Sequence, residues 1–184
     1  MRIRFDAQLK QLGEEMTHMG SMIESAIQDA THAFLNQDVE TAKRIMAEDE
    51  YIDQAQKKIE NICFQLLIQQ QPVARDLRTI TAAMKMVTDM ERIGDHAADI
   101  SELTIAMAGT PYKLRGENIK RMAAETIVML LNAVDSYVNK DMAKAKEVID
   151  HDDIVDNLFV KVKADLIEVI RENPEYGEYA ADLL

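Results

Sequence analysis

Three carboxylates recur at intervals of four residues near the middle of this 184-residue chain. They are Glu91, Asp95 and Asp99, and the segment that holds them is rich in helix-forming residues. Residues four apart lie on the same side of an α-helix, one turn above each other, so the three acidic groups form a column. Like charges in a column repel each other. The segment therefore requires a hard metal ion, a basic partner or full hydration.

A second acidic pair, Asp49 and Asp53, has the same spacing, and Asp152 and Asp156 repeat it later in the chain. If neighbouring helices run antiparallel, the Asp49/Asp53 pair can face the column that contains Glu91. Oxygen ligands from facing helices of a bundle suit Fe, Mn, Mg or Ca better than Zn or Cu. An EF-hand is excluded, because the sequence has no twelve-residue loop with a central glycine.

The row of residues that leads to Glu91 begins as an apolar one. Leu77 and Met84 precede Glu91 at seven-residue spacing, so the carboxylate continues a row that we expect to face the core. A half-buried carboxylate needs a cation or several hydrogen-bond donors. The alternative is a solvated acidic face whose charge Arg92 balances within the helix. The spacing leaves both interpretations open.

A di-iron enzyme site is the chemical alternative, because such bundles use Glu-x-x-His motifs. Glu15 and His18 have this spacing, but the sequence has no second copy of the pattern. At about 100° per residue, His18 projects roughly 120° away from the apolar seam of its helix. A metal-dependent enzyme or metal store on a carboxylate-rich bundle is therefore the second hypothesis. We predict that the protein is not an enzyme.

Composition narrows the possible partners and the compartment. The formal net charge is −12, which argues against DNA or RNA as a partner. Cys63 is the only cysteine, so an internal disulfide is impossible, and its apolar neighbours predict a buried residue. No apolar run is long enough to span a bilayer. These features predict a cytoplasmic protein that is at most peripheral to the membrane.

Few glycines and prolines and many helix-forming residues predict an all-α protein. Apolar residues follow steps of three and four along the first helix: Leu9, Leu12, Met16, Met19, Ile23, Ala26, Ala30 and Ala33. Asn36–Asp38 breaks this pattern. A second helix is predicted over residues 39–71 and ends before Pro72. A third is predicted over residues 74–108 and ends at Gly109–Pro111.

The pattern then begins again at a shift of 103 residues. Asn36 and Asp38 match Asn139 and Asp141, and the Asp49/Asp53 pair matches its later copy. Such matches predict an internal duplication of a three-helix unit, with repeats at residues 1–110 and 111–184.

The second repeat is expected to lack its third helix. Asn173–Pro174 occupies the place of Gln71–Pro72, and only residues 175–184 follow it. The counterpart of the segment with Glu91 is therefore absent from this sequence. Without that cover, apolar residues of the second bundle are expected to be exposed, namely Ile127, Leu130, Val134 and Val155.

Three segments of the chain resemble the PhoU family of phosphate-transport accessory regulators. Arg4-Phe5-Asp6, followed by Leu9 and Leu12, is similar to the opening of these proteins. The segment QQPVARDLR, residues 70–78, resembles the family signature QPVAxDLR. Residues 91–97 match the family's Glu/Asp-x-x-x-Asp motif, and the resemblance extends over the whole chain.

This resemblance implies two three-helix bundles side by side, here with the second one incomplete. It also implies carboxylate-bound metal, with iron first and Mn, Mg, Zn or Ca as alternatives. The implied ligands are Glu91, Asp95 and Asp99, supported by Asp49 and Asp53, with Asp152 and Asp156 serving the second bundle.

The resemblance further implies a non-enzymatic regulator that works by protein contact. When phosphate is plentiful, such a protein restrains the phosphate importer and its sensor kinase. The implied partners are a PstB-type ATPase of the importer, a PhoR-type kinase and a second copy of the chain in a homodimer.

Overall fold

The protein is all-helical in a computed structural model that describes residues 2–70, 72–110 and 116–183. Five long helices are α1 (Arg2–Asn36), α2 (Val39–Gln70), α3 (Ala74–Ala106), α4 (Glu117–Asn139) and α5 (Met142–Glu172). A 3-10 turn (Pro174–Tyr176) and a short helix α6 (Gly177–Asp182) follow. Helices α1–α3 form one bundle and α4–α5 the other, which confirms the predicted fold. The predicted helix ends at Gln71 and Pro111 lie outside the described residues.

The first bundle encloses a core to which each of its three helices contributes one apolar stripe. The seam predicted along the first helix faces this core. Large buried members include Leu12, Met16, Met19, Ile23, Ile59, Leu66, Ile80 and Val87. Removal of each such side chain from water contributes about 1.5–3 kcal/mol. Cys63 lies in the same core, as predicted, and burial raises the pKa of its thiol to about 11.

The turn between the first two helices of each bundle is the same structure at the predicted shift of 103 residues. Gln37 and Lys140 both have left-handed backbones, with φ of 53° and 56°. The next residues, Asp38 and Asp141, donate their backbone N–H to the carbonyl five positions earlier, at 2.9 and 2.8 Å. Their carboxylates each accept a hydrogen bond from a backbone N–H in the first turn of the following helix.

The two bundles meet where α1 packs against α4. The expectation that Ile127, Leu130 and Val134 lose cover is wrong, because only 8%, 5% and 3% of these residues is exposed. They join the core of the first bundle, and Val134 lies 3.6 Å from where a Cβ on Gly20 of α1 would stand. Val155 is partly exposed. The neighbouring bundle thus supplies cover on this side of α4.

The α1–α4 contact is internally symmetric. A Cβ on Gly13 would touch Val138 at 3.5 Å, and a Cβ on Gly116 would overlap Leu35. Gly116 lies 103 positions after Gly13, and Val138 lies 103 positions after Leu35. Each of the two predicted repeats therefore contributes one glycine and one branched apolar residue to the same joint.

The second bundle is more open than the first. Helix α5 buries Leu158, Val162 and Leu166, and it packs on α4 and the terminal turn and helix. His151 adds a polar link, with Nε2 at 2.8 Å from a carboxylate oxygen of Glu125 on α4. Large apolar side chains remain exposed along α5: Met142, Ile149, Phe159 and Val160. None of the described helices has a stretch both long and apolar enough to cross a membrane.

Candidate metal centre

Carboxylates from α2 and α3 converge on one face of the first bundle. Asp53 of α2 and Glu91 and Asp95 of α3 each present an oxygen, and these three atoms lie within 4.8 Å of one another. Oxygen ligands of a hard cation stand about 2.0–2.6 Å from it, so three oxygens at this spacing can reach one ion. The predicted meeting of the two acidic groups across antiparallel helices is therefore present in the structure.

Close helix packing explains why such short side chains meet. Gly94 of α3 is buried, and a Cβ there would stand 3.0 Å from both Cδ1 and Cγ2 of Ile52 on α2. Contacts that short are tighter than ordinary van der Waals distance, so glycine allows the two backbones to approach at this level. Asp53 and Asp95 follow Ile52 and Gly94 directly in sequence. The close approach therefore lies beside the carboxylates.

Two further carboxylates belong to the same negative field. The pKa of Glu91 is raised, first by partial burial and then by the charges of Asp95, Asp53 and Asp49. The pKa of Asp49 is also raised, again first by burial and then by neighbouring carboxylates that include Asp99. All five acidic residues predicted for the first bundle thus interact, although only three form the closest group. We call these five residues the carboxylate cluster.

Nearby positive charges do not balance the negative charge of the carboxylate cluster. Nζ of Lys57 is 4.0 Å from an oxygen of Asp53, and Nδ1 of His96 is 3.3 Å from one of Asp99. Exposed ion pairs of this kind contribute little. Arg92, the predicted balancing residue, is exposed and forms no ion pair in the described part of the chain. Its charge lowers the pKa of Glu91, but burial and the neighbouring carboxylates outweigh this effect and the pKa is raised. These carboxylates therefore fit a site for a hard cation better than a protein surface whose charge is balanced by its own basic residues. The site predicted from the sequence does not include Lys57, although its four-residue spacing from Asp53 on the same helix indicates an ion pair between them.

The row on which Glu91 lies is at the rim of the core. The prediction that it begins as a core row is wrong at Leu77, which is exposed, whereas Met84 is half-buried and packs against the core. The buried stripe of α3 runs one position away: Ile80, Ala83, Val87, Met90, Gly94 and Ala97. Glu91 follows Met90 and is consequently half-buried. This position leaves the cluster accessible to an ion from solvent.

Asp152 and Asp156 lie exposed on α5. Among the described residues, they belong to no group of three ligand-type side chains that could hold one ion. A metal site in the second bundle stays a prediction.

The Glu-x-x-His pattern of α1 does not build a metal site. Glu15 pairs with Lys58 of α2 at 2.7 Å, and His18 is exposed. Neither residue joins the carboxylate cluster within the described structure. The geometry that a di-iron centre requires is therefore missing at these positions.

Comparison with known proteins identifies the family. A family model described as "PhoU domain" matches residues 16–104 and 119–184. The chain belongs to the PhoU family. It is 38% identical over 170 residues to a phosphate-specific transport system accessory protein PhoU homolog of Clostridium acetobutylicum, covering 92% of this chain and 78% of that protein. The PhoU protein of Escherichia coli is 26% identical over 170 residues, with 92% and 70% covered.

Solved PhoU structures have the same fold. The crystal structure of PhoU from Pseudomonas aeruginosa superposes with a TM-score of 0.88 at 27% identity, covering 97% of this chain and 86% of that one. PhoU from Streptococcus pneumoniae gives a TM-score of 0.84 at 24% identity, covering 97% and 87%. As a PhoU-family protein, the chain is a regulator of phosphate transport and not an enzyme.

Proposed function

We propose that this PhoU-family protein is a negative regulator of phosphate uptake and of phosphate-starvation signalling, acting by protein contact with a metal ion as a structural element. The observation that supports a bound metal ion is the convergence of oxygen atoms of Asp53, Glu91 and Asp95 within 4.8 Å of one another. A cation there would offset the repulsion within the cluster and fix α2 against α3. The protein surface that these helices form would then be held in one shape for a partner.

The proposed ligands are the three closest carboxylates, with Asp49 and Asp99 adding negative charge around them. Iron is the first candidate and Mn, Mg, Zn or Ca are alternatives, because the donor set consists of carboxylate oxygens. Ligands must be deprotonated to bind metal, and the raised pKa of Glu91 makes binding weaker in acid. We propose Asp152 and Asp156 as ligands of a second site, in the predicted repeat at residues 111–184, to be tested separately.

The proposed partners follow from the relatives, which are named as accessory proteins of phosphate-specific transport. We propose that the protein binds the PstB-type ATPase of the importer and a PhoR-type sensor kinase at the cytoplasmic face of the membrane. We further propose that it forms a homodimer. The strongly acidic surface supports protein partners rather than nucleic acid.

Elemental analysis tests the metal. Purified protein is stripped with a chelator, reloaded with iron or manganese, desalted and analysed. We expect bound metal in the wild type and in an Asp89→Asn/Glu102→Gln control, which removes two exposed acids of α3 outside the cluster. The Glu91→Gln/Asp95→Asn variant should lose it. Equal metal in all three proteins would rule out this site, and a loss in Asp152→Asn/Asp156→Asn would reveal a second one.

Deletion of the gene tests the regulation. We expect the phosphate-starvation response to be active in high phosphate, and to be repressed again by a plasmid copy. Co-purification of the importer ATPase with the tagged protein would support direct contact. Normal repression in a deletion strain that has no second copy of the gene would contradict the proposed role. Complementation by the Glu91→Gln/Asp95→Asn variant then shows whether repression needs the bound metal.

A further inference from the structure

The solvent side of α5 carries a heptad pattern. Eight positions follow alternating steps of four and three residues, which is the spacing of a coiled-coil seam. We call them the α5 row: Met142, Lys146, Ile149, Asp153, Asp156, Val160, Lys163 and Ile167. All eight side chains are exposed, whereas Leu158 and Val162 are buried on the other side of the helix. The α5 row is therefore free to contact another molecule.

The α5 row is not the surface that a helix equivalent to α3 would cover. At the predicted shift of 103 residues, its apolar members Ile149, Val160 and Ile167 match Met46, Lys57 and Phe64 of α2. These residues of α2 are exposed although α3 packs beside α2. Contact with α3 instead buries Ile52, whose match on α5 is Val155. The exposed apolar residues of the α5 row thus need a separate explanation.

The charges of the α5 row make it complementary to itself. When two α5 helices run antiparallel with Ile149 opposite Ile167 of a second copy, Asp153 lies opposite Lys163 of that copy. A two-fold axis repeats each contact, so two isoleucine contacts and two ion pairs form. Within the described part of the chain, neither Asp153 nor Lys163 has an ion pair of its own. Both charges are therefore available to a second molecule.

The same charges select one register. A shift of seven residues in one direction places Asp153 opposite Asp156 and Lys146 opposite Lys163, so like charges meet in the seam. A shift of seven in the other direction places Lys163 opposite Val160 and leaves it without a carboxylate. Charged residues in a coiled-coil seam specify pairing in this way, because the wrong partner brings repulsion or an unpaired charge.

We propose that α5 is the interface of a homodimer, in which the α5 rows of two copies pair antiparallel about a two-fold axis. This inference rests on the homodimer proposed above and adds where the two copies meet. A second copy is the occupant because the row matches itself in both charge and apolar position, as an isologous interface requires. The net charge of −12 on each copy opposes association, so the dimer is reversible and α5 is unpaired in dilute protein.

Charge reversal tests the pairing by sedimentation velocity at physiological ionic strength, with chelator present so that metal cannot link two copies. Asp153→Lys and Lys163→Asp should each raise the Kd of the dimer at least about tenfold, because like charges then face each other twice. An equimolar mixture of the two variants should dimerise again, since every charged contact in the mixed dimer joins a lysine to an aspartate. Mixing would not repair a folding defect in either chain.

Matched controls carry the same charge changes elsewhere. Asp89→Lys and Lys85→Asp alter exposed residues of α3, and both should keep the dimer Kd of the wild type. Ile149→Ser should weaken the dimer at least about fivefold, whereas Met46→Ser, at the matching position of α2, should not.

Cysteine cross-linking tests the register. Oxidation of Ile149→Cys/Ile167→Cys should yield covalent dimers, because these positions face each other across the interface. Ile149→Cys/Val160→Cys should not, since these positions are not opposed. The natural Cys63 is buried and does not compete.

Two kinds of result would overturn the proposal, and they differ in what else they affect. If the wild type dimerises but Asp153→Lys and Lys163→Asp dimerise as well as the α3 controls, or their mixture stays monomeric, the copies do not meet through the α5 row. The homodimer itself would then stand. A wild type that is monomeric at every concentration measured would contradict both the interface and the homodimer. Regulation of phosphate uptake is tested independently in the deletion strain.

Discussion

Ile52 of α2 packs so closely on Gly94 of α3 that a Cβ on the glycine would stand 3.0 Å from two of the isoleucine carbon atoms. The next residue on each helix, Asp53 and Asp95, contributes an oxygen to the closest carboxylate group. An apolar contact without a side chain on one partner therefore sets the helix separation at which the acidic residues meet. The packing and the candidate metal centre are two consequences of the same interface.

Gly94→Ala should separate the helices. The added methyl group conflicts with Ile52, and we expect a loss of about 1–3 kcal/mol in the free energy of unfolding relative to Gly20→Ala. Gly20 is a suitable control because a Cβ there would meet its nearest neighbour at 3.6 Å, an ordinary distance. Denaturant unfolding of both variants measures the difference. If both glycine variants gain the same stability from better helix propensity, the close contact is not a constraint.

Acid should stabilise the metal-free first bundle through Glu91 and Asp49. Both have a raised pKa in the folded protein, so the folded state binds protons more tightly than the unfolded state. The contribution of these groups to the free energy of unfolding therefore falls as pH rises from the ordinary carboxyl range through the raised values, and is level above them.

Unfolding curves in chelator between about pH 4 and pH 8 measure this effect. We expect Glu91→Gln/Asp49→Asn to be less dependent on pH than the wild type, with its full relief reached above the raised pKa values. Asp89→Asn, an exposed acid of the same helix, is the control. Parallel pH profiles for the wild type and the cluster variant would mean that the carboxylates do not repel each other.

Metal should raise the melting temperature through Asp53. At a free metal concentration of a hundred times Kd, binding contributes about 2.7 kcal/mol, which corresponds to roughly 5–10 °C for a protein of this size. Asp53→Asn should lose most of this shift. Asp156→Asn changes the same residue type at the matching position of the second repeat, and the shift from the first-bundle site should persist. Equal shifts in Asp53→Asn and the wild type would exclude Asp53 as a ligand.

Helix α5 should exchange its amide hydrogens faster than α2. Within the described structure, α2 packs against two long helices, whereas α5 packs on α4 and the short terminal elements. Helices with fewer buried contacts open at lower cost. We expect exchange at residues 145–160 to be at least about tenfold faster than at residues 42–57, as measured by mass spectrometry. Equal protection would show that the second bundle is as stable as the first.

Local features of the fold could be predicted from the sequence because their causes are local. Pro72 separates two helices through its own geometry, and the four-residue spacing of Glu91 and Asp95 fixes their common side. The antiparallel order of α2 and α3 then brings Asp53 opposite them. These elements depend on chain connectivity and helix period alone.

Other features depend on contacts between distant segments. Burial of Leu130 and Val134 follows from the packing of α4 on α1, which periodicity within α4 does not reveal. Oε1 of Gln8 is buried without a hydrogen-bond partner among the described residues, and no sequence signature predicts this, since most glutamines of a helical surface are solvated. The exposure of Leu77 reflects a buried stripe that lies one residue, about 100°, from the predicted row.

The symmetric joint of α1 and α4, with Gly13 against Val138 and Gly116 against Leu35, is isologous in the manner of a two-fold homodimer. Each predicted repeat contains both kinds of residue that form this joint, namely one glycine and one branched apolar residue. Two identical copies of an ancestral half-length chain would therefore be able to pair through it. Joining two such copies in one chain would make their association independent of protein concentration, because the second half would always be tethered beside the first. It also allows the two halves to diverge, so that one can keep an acidic helix face while the other specialises.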